Sequence, residues 1–109
     1  MMKEAWLFAA QRLSALVMAP LVLLHLGIIL YAVRGGLSAD EILSRTEGSL
    51  FWGAVYGLFV LAAAVHAPIG LRAVLREWAR WRGAGLDIAM TLFGLVLLAL
   101  GVRAVAAVL

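Results

Sequence analysis

The sequence contains no cysteine, so it can form no disulfide, thiolate metal site or iron–sulfur ligation of its own. Charge is also scarce: Asp, Glu, Lys and Arg make up 14% of 109 residues, where a soluble domain keeps roughly a quarter. The rest is 66% hydrophobic, with a mean hydropathy of +1.08. Too few charges remain to cover a water-facing surface, so the solvent must be lipid. Nine cations against six acids give a net charge of +3. They form no continuous patch for nucleic acid and gather instead at the ends of apolar runs, as membrane orientation demands. Internal repeats and low-complexity tails are absent. No small-x-small cleavage site closes the first apolar run, which is too long for a signal peptide core and reads as a retained span.

Three apolar runs are each near or above the ~20 residues needed to cross a hydrocarbon core of about 30 Å. They extend from Leu13 to Val33, from Leu50 to Leu71 and from Ile88 to Leu109. Open strands would leave unpaired edges in lipid. The expected fold is therefore an all-α integral membrane protein with three transmembrane helices in one domain, residues 1–109. The helices are expected at about 6–33, about 50–79 and about 86–109. Between the first two, residues 34–49 form a connection in which Gly35-Gly36 stops the helix. Ser38 with Glu41 reads there as a capping box for a short interfacial helix through Arg45, with Ile42 and Leu43 laid on the membrane surface.

Orientation follows from the cations. Lys3 and Arg12 lie at the amino end, and Arg72, Arg76, Arg80 and Arg82 lie between the second and third runs. The other connection has Arg34 and Arg45, opposed by Asp40, Glu41 and Glu47. The positive-inside rule places the N-terminus in the cytoplasm and the C-terminus outside. Trp6, Tyr31, Trp52, Trp78 and Trp81 fall near the interfaces, as an aromatic belt would.

An ionisable residue deep in a span is costly and marks a functional candidate. Both histidines of the chain qualify. Trp52 to Trp78 spans ~39 Å at 1.5 Å per residue, and His66 lies near its middle. His25 lies in the outer third of the first span, so the two differ in depth by roughly 10 Å. Two axial nitrogens must reach one iron from opposite faces, so this pair is poorly placed to hold a single haem. Each would need a partner from another chain.

Ala62, Ala63, Ala64, Ala67 and Gly70 clear volume beside His66 for a planar ligand, and Gly53 with Gly57 read as a small-xxx-small packing face. Pro68 frees the carbonyl of Ala64, which is placed to receive the second ring nitrogen of His66. A plain interhelical hydrogen-bonding histidine fits the same position. Ser14, Met18, Leu21 and His25 share one stripe of the first helix, and Pro20 kinks it. Arg12 and Ser14 could hydrogen-bond a quinone carbonyl or a haem propionate, or Arg12 could simply snorkel. Arg103, 15 residues into the third run, reaches the depth of His25 and could meet a propionate there.

Gln11-Arg12-Leu13-Ser14-Ala15 opening the first span, and the segment from His66 to Trp78 (HAPIGLRAVLREW) closing the second, resemble the membrane-anchor, cytochrome b subunits of succinate dehydrogenase and fumarate reductase. The resemblance covers the whole chain. It implies a haem b-binding anchor of a succinate:quinone oxidoreductase, without a succinate-oxidising site of its own. Such an anchor docks an iron–sulfur subunit and a flavoprotein subunit and pairs with a second anchor chain, different or identical. It lies in lipid, in a bacterial or archaeal cytoplasmic membrane. His66 is then an axial haem ligand, and His25 the ligand of a second haem. Arg12, Ser14, Arg72, Glu77, Trp78 and Arg103 form the quinone or propionate environment. The family often has Asp-Tyr where this chain has Glu77-Trp78; tryptophan donates one hydrogen bond but is no phenol. The competing class is a haem-free module, either a structural anchor or a small helical transporter component.

Overall fold

The computed structural model describes residues 2–109, and these are helical apart from short connections. Four helices follow in order: α1 (Met2–Gly35), α2 (Ala39–Thr46), α3 (Leu50–Trp78) and α4 (Ala84–Val108). Three of them, α1, α3 and α4, are long and apolar enough to cross a membrane, and there is no strand among the described residues. The chain is thus an all-α protein with three membrane spans. It measures 48 × 24 × 22 Å, an elongated bundle with α3 in the middle, packed against α1 on one side and α4 on the other.

Helix ends follow local chemistry. Gly36 takes φ +99° and turns the chain out of α1, a conformation that glycine adopts without a Cβ penalty. The hydroxyl of Ser38 accepts from the backbone N–H of Glu41 at 3.1 Å and so caps α2. The reciprocal arm of the box is missing, because the Glu41 carboxylate turns to Arg45 instead, at 3.5 Å. Ser49 caps α3 by accepting from Trp52 N–H at 3.2 Å. At its far end the Trp81 N–H reaches back to the Leu75 carbonyl at 3.1 Å. Arg80 holds the intervening left-handed position (φ 55°), where glycine is usual.

α1 begins several residues before the apolar run because its first turn has partners. Arg72 of α3 grips the Glu4 carboxylate with two nitrogens (3.2 and 2.8 Å) and donates to Asp87 of α4 at 2.8 Å. Arg76 adds a bond to Glu4 at 2.9 Å, and Lys3 pairs with Asp87. Five charges from three helices thus close the end of the bundle that holds the α1 N-terminus and the α3–α4 connection, called here the basic end.

The other end is closed by α2, which touches both α1 and α4. Thr46, only 2% exposed, donates its hydroxyl to the Val108 carbonyl at 2.7 Å. Gly48 N–H donates to the Leu109 carbonyl at 3.0 Å. The Val108 carbonyl at the end of α4, which has no partner in its own helix, and the Leu109 carbonyl after it are thus satisfied from α2 and the turn that follows it. Ile42 accordingly lines a cleft with Thr46, Tyr56 and Val108. Ile42 thus faces the bundle, and Leu43 beside it is half-buried.

Packing between spans relies on small residues, as expected where lipid tails are as apolar as leucine. The close approaches are not those read from Gly53-Gly57. A Cβ on Gly57 would meet nothing within 4 Å, and one on Gly53 would meet only the end of the Leu109 side chain. The tight contacts come from α4: Gly94 sits against Pro68 and the Ala64 carbonyl, and Gly101 against Val60. Few side chains are fully enclosed; Leu86, at the first turn of α4, is 1% exposed. Leu13, Leu16, Leu23, Leu30, Leu92 and Leu100 are all exposed, as fits a surface whose solvent is hydrocarbon.

Candidate functional site

His66 lies on the half-buried side of α3, and its ring faces α1. Its Nδ1 is 3.3 Å from the hydroxyl oxygen of Ser14, a residue only 7% exposed. That hydroxyl donates its proton to the Gln11 backbone carbonyl at 3.0 Å. A hydroxyl has one proton, so with it directed at Gln11 the oxygen accepts from Nδ1–H. Nε2 is then the unprotonated nitrogen, the form a metal ligand requires. This donor chemistry fits an axial role toward haem iron.

The Ala64 carbonyl freed by Pro68 does not meet the imidazole. It faces Gly94 of α4, where an added Cβ would come within 3.2 Å of it. The reason is angular: residues two apart on an α-helix project about 200° apart, so a carbonyl used on the α4 side is out of reach of a ring on the α1 side. The alanines beside His66 divide likewise. Ala62 is buried, Ala64 lines the α3–α4 groove, and Ala63 and Ala67 are half-buried.

His25 is exposed on α1. Its ring meets Phe59 edge-on at 5.4 Å between centroids and Tyr56 at 6.2 Å. No hydrogen bond joins His25 to any described residue. Ser14 marks the level of His66, and His25 lies 11 residues further along α1, ~16 Å by helix rise. The two imidazoles of one chain therefore occupy separate levels.

At the basic end, an open cleft of about 550 Å³ lies between α1 and α3, lined by Leu7, Phe8, Gln11 and Ile69 together with Glu4, Arg72, Arg76, Glu77 and Arg82. Gln11 is notable here. Its amide nitrogen packs where a Cβ on Gly70 would stand, 3.2 Å away, and its Oε1 is buried without a hydrogen-bond partner. An orphaned buried amide oxygen is uncommon and asks for a donor.

The residues read from the sequence as one quinone or propionate group are dispersed. Arg72 and Glu77 line the cleft, with Arg72 already held by Glu4 and Asp87. Arg12 is exposed, its guanidinium over the Phe8 ring at 5.5 Å to the centroid. Ser14 is committed to His66, Trp78 is 83% exposed and outside the cleft lining, and Arg103 lies exposed near the opposite end of α4. Sequence reasoning missed the buried, unpartnered amide of Gln11 and the pairing of Glu4 and Asp87 with the basic segment. The one available signal was that Glu4 and Asp87 are isolated acids set among basic span ends.

No curated protein and no solved structure matches the chain. The family model described as the succinate dehydrogenase/fumarate reductase transmembrane subunit matches residues 1–108, and the chain belongs to that family, as a membrane subunit of an oxidoreductase complex.

Proposed function

We propose that this subunit holds haem b through His66 and helps form the quinone site of a succinate:quinone oxidoreductase. The observation that carries the proposal is the 3.3 Å contact of His66 Nδ1 with a Ser14 hydroxyl that itself donates to the Gln11 carbonyl, an arrangement in which Nε2 is free to ligate. Bound by His66, haem would supply a one-electron redox centre. The second axial ligand comes from a partner anchor chain, because His25 sits at another level. Paired histidine ligation predicts a sharp α-band in the reduced-minus-oxidised spectrum of the purified complex. A featureless difference spectrum would favour the haem-free structural anchor.

The cleft between α1 and α3 is the proposed place of the quinone head. Gln11 offers its unpartnered Oε1 to a quinol hydroxyl, and Leu7, Phe8 and Ile69 give an apolar wall to the ring. Arg72 and Arg76, fixed by Glu4, hold the cleft edge in place rather than contacting the ring themselves. The exposed turn from Arg80 to Arg82, beside the cleft, is the docking side for the iron–sulfur and flavoprotein subunits. His25, exposed and lacking a hydrogen bond among the described residues, is proposed as the ligand of a second haem at its own level.

The basic end faces the cytoplasm of a bacterial or archaeal cell in this reading, because it collects the cations. The chain lacks cysteine, so single cysteines report topology cleanly. Ser38→Cys is expected to react with an impermeant thiol reagent in intact cells, and Ala79→Cys only after lysis. Reaction of Ala79→Cys alone in intact cells would reverse the orientation.

A further inference from the structure

Ser14 is a polar residue in an apolar stretch, buried against α3, and both of its hydrogen-bonding capacities are in use. A serine inside a helix ordinarily satisfies itself by donating to a carbonyl three or four residues back. Ser14 does so, to Gln11. That local bond fixes the rotation of the hydroxyl, and it is the rotation that turns an oxygen lone pair toward the next helix. His66 meets that lone pair at 3.3 Å. With the Ser14 proton on Gln11, the remaining lone pair calls for hydrogen on Nδ1.

We propose that Ser14 is a positioning residue for His66, locking the Nδ1–H tautomer and strengthening Nε2 as an electron-pair donor to haem iron. The proposal rests on the reading of His66 as axial ligand. A hydrogen bond accepted from the remote N–H of a ligating imidazole orients the ring and raises its basicity, and losing such a partner commonly weakens metal binding 10- to 100-fold. A stronger donor stabilises the more positive, ferric state over the ferrous one. Removing the Ser14 hydroxyl thus weakens haem retention and moves the midpoint potential upward. Ser14 lies one helix away from the ligated atom and needs no contact with the haem itself.

The test uses the whole complex with three variants of this subunit. Ser14→Ala deletes the acceptor with little change in volume. Ser14→Thr keeps a hydroxyl that can still donate back along its own helix. His66→Ala reports on the ligand reading independently. Haem content, the α-band and the midpoint potential are read for each. The expected result is that Ser14→Ala binds haem but loses it roughly tenfold more readily on dilution, with a potential shifted positive, while Ser14→Thr returns both to wild type. Wild-type retention and potential in Ser14→Ala would overturn the positioning role and leave His66 as ligand. Equal disturbance by Ser14→Ala and Ser14→Thr would mean that Ser14 acts by packing, which also overturns it. A His66→Ala complex that keeps its full haem would remove the ligand reading, and this proposal with it.

Discussion

His66→Ala is expected to abolish the α-band of the haem proposed above while the complex still assembles. Haem retention in a membrane subunit depends on its axial bonds, and the chain has just one other imidazole, ~16 Å away along the bundle. No cysteine is present to substitute. Assembly is expected to survive because the substitution removes little that binds the helices together. Ser14 keeps its bond to Gln11, and the lost contact to Nδ1 is a single neutral hydrogen bond worth about 1 kcal/mol net. The five-charge cluster at the basic end and the Thr46 bond at the other are untouched. Haem content per assembled complex is therefore the measurement. Full haem in an assembled His66→Ala complex would leave the imidazole as an interhelical contact only.

Gly101→Ala is expected to destabilise the bundle by about 1–3 kcal/mol, the usual cost of overpacking, whereas Gly57→Ala stays within about 0.5 kcal/mol of wild type. A Cβ on Gly101 would collide with one Val60 methyl, approach the other to 2.9 Å and lie 3.2 Å from the Val60 Cβ. A side-chain rotation cannot clear all three, since the Cβ is fixed to the backbone, so α3 and α4 must separate. Around Gly57 nothing lies within 4 Å. Unfolding of the purified complex in detergent distinguishes the two. Adding Val60→Ala to Gly101→Ala should recover most of the loss, a coupling that a double-mutant cycle isolates. Equal effects of the two glycine substitutions would contradict the α3–α4 contact described above.

Legibility from sequence divided along a physical line. Span number and class came from run length and composition, which report on the solvent, and the structure has those three spans. The helix stop at Gly36 and the Ser38 cap are local and could be read in place. What escaped was any feature set by which faces of distant helices meet. Gly53 and Gly57 have the spacing of a packing motif, but spacing does not say whether a partner lies opposite; Gly94 and Gly101 have the partners. The basic residues after His66 were read for orientation, and Arg72 also for the quinone or propionate environment, without their acidic partners. Their acidic partners stand 68 residues earlier for Arg72–Glu4 and 15 later for Arg72–Asp87, separations at which no helical periodicity can pair them. At the candidate site, His66 was conspicuous as an imidazole in hydrocarbon. Its partner was misread as the Ala64 carbonyl because the helix around Pro68 was considered without its neighbours. Gln11 escaped for the same reason, since an orphaned oxygen exists only once its surroundings do.

The two closures, one at each end of the bundle, also determine how the spans can move. Long helices packed in lipid can slide along one another by a turn, about 5.4 Å, at small cost when only leucines and small residues interdigitate. Here such a slip of α1 would pull Glu4 off Arg72 and Arg76 and Lys3 off Asp87. A slip of α4 would break the bonds from Thr46 and Gly48 to its last carbonyls as well. Both closures thus oppose shear of the spans past one another. The levels of Ser14 and His25 along α1 consequently act as fixed graduations on a ruler, and any electron carriers held at those levels would keep a constant separation while the rest of the complex turns over.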